Sequence, residues 1–304
     1  MPDAHDMARV QPQKVRLSSL TTLGVGGEAE LWEVERTRDL AVATQEPYRV
    51  LGAGSNLLVA DAGVRERVIK LGHAYNGVRT FGAANDVWLG AATPLPGLVR
   101  RAAAVGLSGL EGLLGVPAVL GGAVAMNAGT RFSELSDTLQ EVEVFVDGGL
   151  ERLGADALEL GYRRSTLPAG AILTRARLRL TPSSPERVRA VLAQVDAARK
   201  GQPKSKSAGC AFKNPPADSA GRLIDAAGLK GLRVGQALVS PEHGNFIVNL
   251  GGATAADVLR LLEKIREGVV REGAGVLLTT EWELWGFAPG TAATLREVPC
   301  APLC

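Results

Sequence analysis

Apolar and polar positions alternate with the two-residue period of half-buried strands over much of the first 180 residues. The clearest runs are Leu31-Trp-Glu-Val-Glu35, Arg67-Val-Ile-Lys-Leu71, Glu141-Val-Glu-Val-Phe-Val146 and Ala171 to Leu180. Residues 48–51 and 86–92 read as further strands, the former running into the loop Gly52-Ala-Gly-Ser-Asn56. Helical spacing appears over 95–105, 186–200, 219–228 and 254–272, and 156–160 is helix-like. Ser184 is placed to cap the helix from 186, with Pro185 in its first turn, and Thr254-Ala-Ala-Asp257 resembles a capping box. Strands are expected at 245–249 and 276–285, a loose arm over 1–14 and a tail over 287–304. Strands and helices mix without regular βαβ alternation, so an α+β fold is favoured over a doubly wound sheet. The composition shift at Thr181-Pro-Ser-Ser-Pro185 marks the expected domain boundary.

Composition narrows the function. At 304 residues, two domains are expected, and 46% apolar with 22% charged residues suits a folded core. The net charge of +2 leaves no electrostatic footprint for nucleic acid or anionic lipid, and aromatics are only 4%. Cys210, Cys300 and Cys304 cannot make a disulfide framework, and His5, His73 and His243 are scattered, so no metal site is expected. Gly112 to Thr130 is uncharged, but Pro117 and five glycines interrupt it, so a loop-helix-loop is expected rather than a membrane span. The N-terminus lacks the apolar stretch of a signal peptide, and the expected setting is the cytoplasm.

Glycine is the excess residue, 37 in all. Leu51-Gly-Ala-Gly-Ser-Asn-Leu-Leu58 follows a strand, and its small residues let backbone N–H groups approach a phosphate. It is neither G-x-G-x-x-G, since Leu57 holds the sixth position, nor a Walker loop. A Gly turn of a hairpin explains it as well. Gly109 to Gly129 is a second such stretch, read either as close helix packing at Gly121 and Gly122 or as a phosphate cradle whose helix begins near 117–122. Two Gly loops in one domain suggest a long ligand with a pyrophosphate, such as FAD.

Several motifs then fall in one order: Thr22-Leu-Gly-Val-Gly-Gly27, Gly52-Ala-Gly-Ser-Asn56, Gly115-Val-Pro117 with Gly121-Gly122 and Met126-Asn-Ala-Gly129, Tyr162-Arg163, Gly209-Cys-Ala-Phe-Lys-Asn-Pro215, Leu223-Ile-Asp-Ala-Ala-Gly-Leu-Lys-Gly231 and Glu281. Over residues 17–286 this series resembles the UDP-N-acetylenolpyruvoylglucosamine reductases. The resemblance implies a two-part FAD-binding module of the vanillyl-alcohol-oxidase type over 15–183 (about 15–72 and 73–183). A substrate-binding domain over 184–275 would follow, and a C-terminal strand and tail over 276–304 would return to the FAD module. It implies reduction of UDP-N-acetylglucosamine enolpyruvate to UDP-N-acetylmuramate for peptidoglycan, with NADPH as reductant, hydride reaching C3 through flavin N5 and a proton reaching C2. Gly52, Ala53, Gly54, Ser55, Asn56, Gly115, Val116, Gly121, Gly122, Asn127 and Gly129 would bind FAD. Tyr162, Lys213 and Asn214 would meet the substrate.

The implied chemistry needs a cation for the developing enolate and an acid for C2. Arg163 fits the cation, with Arg164 as its neighbour in Gly161-Tyr-Arg-Arg-Ser165. Cys210 fits the acid where most of the family has Ser, and a thiol with a pKa of about 8.5 is mostly protonated near pH 7. Glu281 fits the third position, with Glu283 second, either hydrogen-bonding the substrate carboxyl or relaying a proton. Thr21 and Ala118 depart from the family's usual Asn and Gly. Only 46 residues separate Arg163 from Cys210, too few for the Tyr-bearing insertion of the larger form. A monomer without macromolecular partners is expected. Competing readings are a same-fold FAD oxidase and a nucleotide-binding module without catalysis.

Overall fold

A computed structural model describes residues 10–77, 84–272 and 275–296. The chain opens with β1 (Gln13–Arg16), β2 (Glu28–Val34), α1 (Thr37–Ala43), β3 (Tyr48–Val50), β4 (Leu57–Val59) and β5 (Arg67–Leu71). Then come β6 (Asp86–Gly90), α2 (Leu95–Ala104), β7 (Leu107–Ser108), α3 (Leu120–Ala125), β8 (Leu139–Val146), β9 (Gly149–Gly154), β10 (Ile172–Arg179), β11 (Thr181–Pro182) and α4 (Pro185–Ala198). The remainder holds α5 (Ala220–Ala226), β12 (Arg233–Val234), β13 (Ala237–Val239), β14 (Ile247–Asn249), α6 (Ala255–Glu272), β15 (Glu283–Trp285) and α7 (Pro289–Arg296).

Contacts divide the chain into two compact units, one of residues 1–13, 30–53 and 66–200, the other of 14–29, 54–65 and 201–304. Among the described residues, the first unit holds two larger sheets and the short antiparallel pairing of β7 with β11. In one, β5 lies between β2 and β3 and is parallel to both, with Glu33 beside Lys70 and Val50 beside Ile69. In the other, β6, β10, β8 and β9 run antiparallel in that order. The apolar face of α2, Leu95, Leu98, Val99, Ala102 and Ala103, follows helical spacing and is buried with the inner residues of β8 and β10.

Helix α4 begins as its sequence indicates: Ser184 Oγ accepts from Arg187 N at 3.3 Å, and Pro185 follows the cap. It packs with α2, β7 and the 3-10 turn Glu111–Leu113, and Arg199 Nη2 donates to Gly115 O at 3.1 Å. The division therefore falls at residue 200 rather than at 184. The uncharged stretch 112–130 folds as a turn, a loop and the six-residue α3, and no described helix is long and apolar enough to cross a membrane.

In the second unit, β13 pairs antiparallel with β12 and β14, and β15 pairs parallel with β4. The start of α6 is a reciprocal capping box, Asp257 N to Thr254 Oγ1 and Thr254 N to Asp257 Oδ2, both 3.0 Å. The Asp61 carboxylate accepts from Ala255 N and Ala256 N as well, at 2.8 and 3.1 Å. Val258, Leu261, Leu262, Ile265 and Val269 of α6 face Trp282, Phe212 and Ile224 in this unit's core. Two expectations change here. Of the strand expected over 276–285 only 283–285 forms a ladder, because 279–281 pairs with the single short segment 211–213. The described part of the expected tail contains α7, pinned by buried Leu295 and by Arg266 Nη1 donating to Thr294 O at 2.5 Å. Cys300 and Cys304 lie outside the described residues.

Candidate active site

The parallel strands of the first unit end at a cleft of about 400 Å³. The carboxyl ends of parallel strands are where such sheets commonly receive ligands. Val50, Leu51 and Gly52 after β3 and Leu71, Gly72 and His73 after β5 line it, facing Val119, Gly121 and Gly122 at α3. A Cβ on Gly52 would stand 3.2 Å from Val119 Cγ2, and one on Gly121 3.0 Å from Ala91 Cβ. Any larger side chain at either position would press on the opposite wall or fill the space a ligand needs. Among the described residues, no acceptor is found for the N–H groups of Gly52 and Ala53. Gly54, Ser55 and Asn56 belong to the second unit. There Gly54 has φ +62°, a Cβ on it would collide with the Leu20 carbonyl, and Asn56 Nδ2 donates to Glu281 O at 3.1 Å.

The second glycine stretch is less of an anion cradle than expected. Leu120 N donates to Thr93 O and Gly121 N to Ala91 O, both at 2.8 Å, so these two N–H groups already serve the protein. Gly115, at φ +76°, lies under Arg199, and neither it nor Val116 lines the cleft. Three residues absent from the expected set line the cleft or brace its loops. The Glu35 carboxylate accepts from His73 N and Ala74 N at 2.9 and 2.6 Å, and a Cβ on Gly72 would run into it. Buried Thr93 accepts from Gly77 N at Oγ1 and from Leu120 N at its carbonyl, joining the 72–77 loop to α3. Asn76 pairs with Ala91 and lines the cleft. Glu35 and Asn76 carry no motif; only the tertiary contacts reveal them.

Arg163 sits in the same unit, on a tight turn closed by Gly161 N to Arg164 O and Arg164 N to Gly161 O, both 3.0 Å. Its φ of +53° is unusual for a non-glycine residue, and its Nη2 donates to Gly129 O at 2.7 Å. Asn127, 1% exposed and at φ +39°, holds that arrangement. Its Nδ2 donates to Glu134 Oε2 (2.9 Å) and Gly161 O (3.2 Å), and its Oδ1 accepts from Ser136 N (3.0 Å). The Asn127 amide thus joins the turn carrying Arg163 to the turn carrying its anchor, Gly129. That side chain, expected on the cofactor, is occupied by protein partners. Gly129 is confined by Glu134, whose Cγ would lie 2.7 Å from an added Cβ. Tyr162 is 48% exposed, with the Arg163 guanidinium 5.1 Å from its ring centre.

In the second unit, isolated bridges hold the segment that carries Cys210, and the backbone of Glu281 pairs with its neighbour Ala211. Phe212 bridges Thr280, Glu281 N donates to Ala211 O and Lys213 N to Thr279 O, both at 2.9 Å, and Cys210 bridges Phe246. Asn245, 2% exposed, clamps the segment: its Oδ1 accepts from Phe212 N at 2.9 Å, its Nδ2 donates to Phe212 O at 2.8 Å and its carbonyl accepts from Ala211 N. Cys210 and Glu281 are both partly exposed, while Trp282 and Phe212 are buried beside them. Lys213 is partly exposed and Asn214 exposed, with Asn214 Oδ1 accepting from Ala220 N at 3.0 Å ahead of α5. His243 accepts from Asn245 N at Nδ1, 3.2 Å away, and burial together with the Lys230 charge lowers its pKa below 6.5.

Residues 30–154 match the FAD binding domain family, and residues 202–285 match the C-terminal domain of UDP-N-acetylenolpyruvoylglucosamine reductase. The reductase of that name from Thermus thermophilus is 57% identical over 273 residues, covering 90% of this chain and 98% of its own length. That from Deinococcus radiodurans is 52% identical over 286 residues, covering 91% and 96%. The chain belongs to the UDP-N-acetylenolpyruvoylglucosamine reductase family. A crystal structure of the family's Thermus caldophilus enzyme superposes with a TM-score of 0.84 at 56% identity, covering 91% of this chain and 99% of that one.

The α+β class and the FAD-binding module expected from the sequence agree with these matches. In this reductase chain the FAD-binding match spans both walls of the cleft, Gly52 with Leu71–His73 and Val119–Gly122. The C-terminal match contains both Cys210 and Glu281.

Proposed function

We propose that this chain reduces UDP-N-acetylglucosamine enolpyruvate to UDP-N-acetylmuramate, with FAD as bound cofactor and NADPH as reductant. Membership of the reductase family along nine-tenths of the chain is the observation that carries the reading. The glycine-walled cleft within the FAD-binding match supports it. Gly52, Ala53, Gly121 and Gly122 would hold FAD in the first unit, and Gly54, Ser55 and Asn56 are the second unit's candidates. Bound FAD supplies the hydride carrier between NADPH and the enolpyruvyl double bond.

The protein's own residues handle charge and proton. Arg163, oriented through Gly129 O, offsets the negative charge that develops across the enolpyruvyl carboxylate. Cys210 donates its thiol proton to C2 and recovers it from solvent, and Glu281 hydrogen-bonds the substrate carboxyl or relays that proton. Lys213 and Asn214 meet the diphosphate, and Tyr162 packs beside the substrate.

The test is the visible spectrum of the purified holoprotein. NADPH should bleach the flavin band, and UDP-N-acetylglucosamine enolpyruvate should restore it with formation of UDP-N-acetylmuramate, read by mass. Reoxidation that ignores the enolpyruvate and yields only hydrogen peroxide would overturn the reading in favour of an oxidase.

A further inference from the structure

The 279–281 segment of the second unit uses its two edges differently. Toward 211–213, Lys213 N donates to Thr279 O and Glu281 N to Ala211 O, both at 2.9 Å. Between them, Thr280 N serves the opposite edge, as alternate N–H groups of an extended segment do. Thr280 is buried, so that N–H needs an acceptor inside the protein. It finds one in Leu295 O, 3.0 Å away in the last turn of α7. The last four carbonyls of a helix have no partner within it. In α7 two of these are taken by the rest of the unit: Leu295 O by Thr280 N, and Thr294 O by Nη1 of buried Arg266 on α6. The Leu295 side chain is buried in the core that holds Trp282 and Phe212. The Thr280 hydroxyl reaches back toward the other edge and donates to Ala211 O at 2.9 Å, the same carbonyl that accepts from Glu281 N.

We infer that Thr280 is a positioning residue for the reaction and that α7 acts through it, fixing where Glu281 stands relative to Cys210. One run of hydrogen bonds goes from Arg266 to Thr294, and from Leu295 to Thr280 and on to Ala211, the residue next to Cys210. Glu281 follows Thr280 in the chain and shares its acceptor, so a shift of α7 reaches both proposed reacting groups through a single carbonyl. The helix lies beyond the match to the family's C-terminal domain, which ends at residue 285, so that match gives it no role. A proton donor and a carboxyl contact must each be held to within about 0.5 Å, and an error of about 1 Å can cost about 10²-fold in rate. The inference rests on the proposed function, in which Cys210 and Glu281 act on the enolpyruvyl group.

Thr280→Val, Thr280→Ser, Leu295→Ala and Leu295→Met are compared with wild-type holoprotein. Flavin content and melting temperature check that each variant is folded and loaded. Stopped-flow absorbance then reads two rates separately: bleaching of the flavin by NADPH, and its reoxidation by UDP-N-acetylglucosamine enolpyruvate. Thr280→Val keeps the side chain's shape and loses the hydroxyl donor. It should slow reoxidation about tenfold and leave bleaching unchanged. Thr280→Ser keeps the donor and should recover wild-type reoxidation. Leu295→Ala, which loosens the seat of α7, should slow reoxidation in the same selective way, and Leu295→Met should not. If Leu295→Ala does not fold, the Thr280 pair decides alone. A lower melting temperature with both rates unchanged, or with both slowed equally, makes the contact purely structural and overturns the inference while the reductase reading stands. A wild type whose reduced flavin is not reoxidised by the enolpyruvate overturns that reading and the inference together.

Discussion

The two units present their proposed chemistry in opposite ways. In the first, the cleft is shaped by what is missing: glycines at 52, 72 and 121 leave no side chain where one would touch Val119, Glu35 or Ala91. In the second, side chains and long-range pairing do the positioning, with Asn245 clamping Phe212 and the 279–281 segment laid against 211–213. A binding surface that must follow a ligand's backbone needs space, so small residues specify it. A reacting thiol needs a fixed position, so buried hydrogen bonds specify it. Damage to the glycine walls of the first unit's cleft should therefore appear as lost cofactor, and damage to the clamped 210–213 segment of the second unit as lost chemistry or lost stability.

The sharpest break of this contrast is Cys210→Ala. Bleaching of the flavin by NADPH should survive, while product formation falls about 10²- to 10⁴-fold, the usual contribution of a positioned acid. Cys210→Ser should keep most turnover, since a hydroxyl also donates; normal turnover in the Ala variant would remove Cys210 from the mechanism. Second in size, Gly121→Val should lower FAD affinity about tenfold or more, read from the 450 to 280 nm absorbance ratio after dialysis. Gly290→Ala, with nothing within 4 Å of the added Cβ, is the matched control and should keep its flavin. Equal flavin loss in both variants would end the claim that space in the cleft is the specific requirement.

Smaller effects test the second unit's clamp. Asn245→Ala leaves the Phe212 N–H and carbonyl without their side-chain partners, a cost of about 1–3 kcal/mol. The melting temperature should drop by several degrees with FAD content unchanged. The smallest effect concerns His243. Its folded pKa lies below 6.5 because of burial first and the Lys230 charge second. The unfolded imidazole takes up a proton more readily, so the stability His243 contributes is complete above about pH 6.5 and is lost as pH falls through the folded value. His243→Gln should flatten the fall in melting temperature between pH 7.5 and 5.5; an unchanged slope would assign that fall to other groups.

Much of this was legible without coordinates. Alternation located β2, β5, β8 and β10, helical spacing with Ser184 and Thr254 located α4 and α6, and the glycine loops pointed to a dinucleotide. Cys210 and Glu281 were carried by their motif context. The cleft's other builders were not legible. Glu35 reads as a surface acid at the end of an alternating strand, yet it caps the 73–75 turn 38 residues away. Asn127 reads as part of a glycine-rich cofactor loop, yet its amide ties two turns under Arg163.

By itself, then, the sequence determined the local elements, the positions where the backbone must pass without a side chain, and the family. Each of these depends on neighbours within a few residues or on collinear motifs. The tertiary structure alone decided which N–H groups of the second glycine stretch are already taken, that α4 packs with the first unit, and that 279–281 pairs with 211–213 rather than extending one long strand. Those outcomes depend on hydrogen-bond partners and packing surfaces distant in the chain, and neither a two-residue nor a 3.6-residue period carries that information.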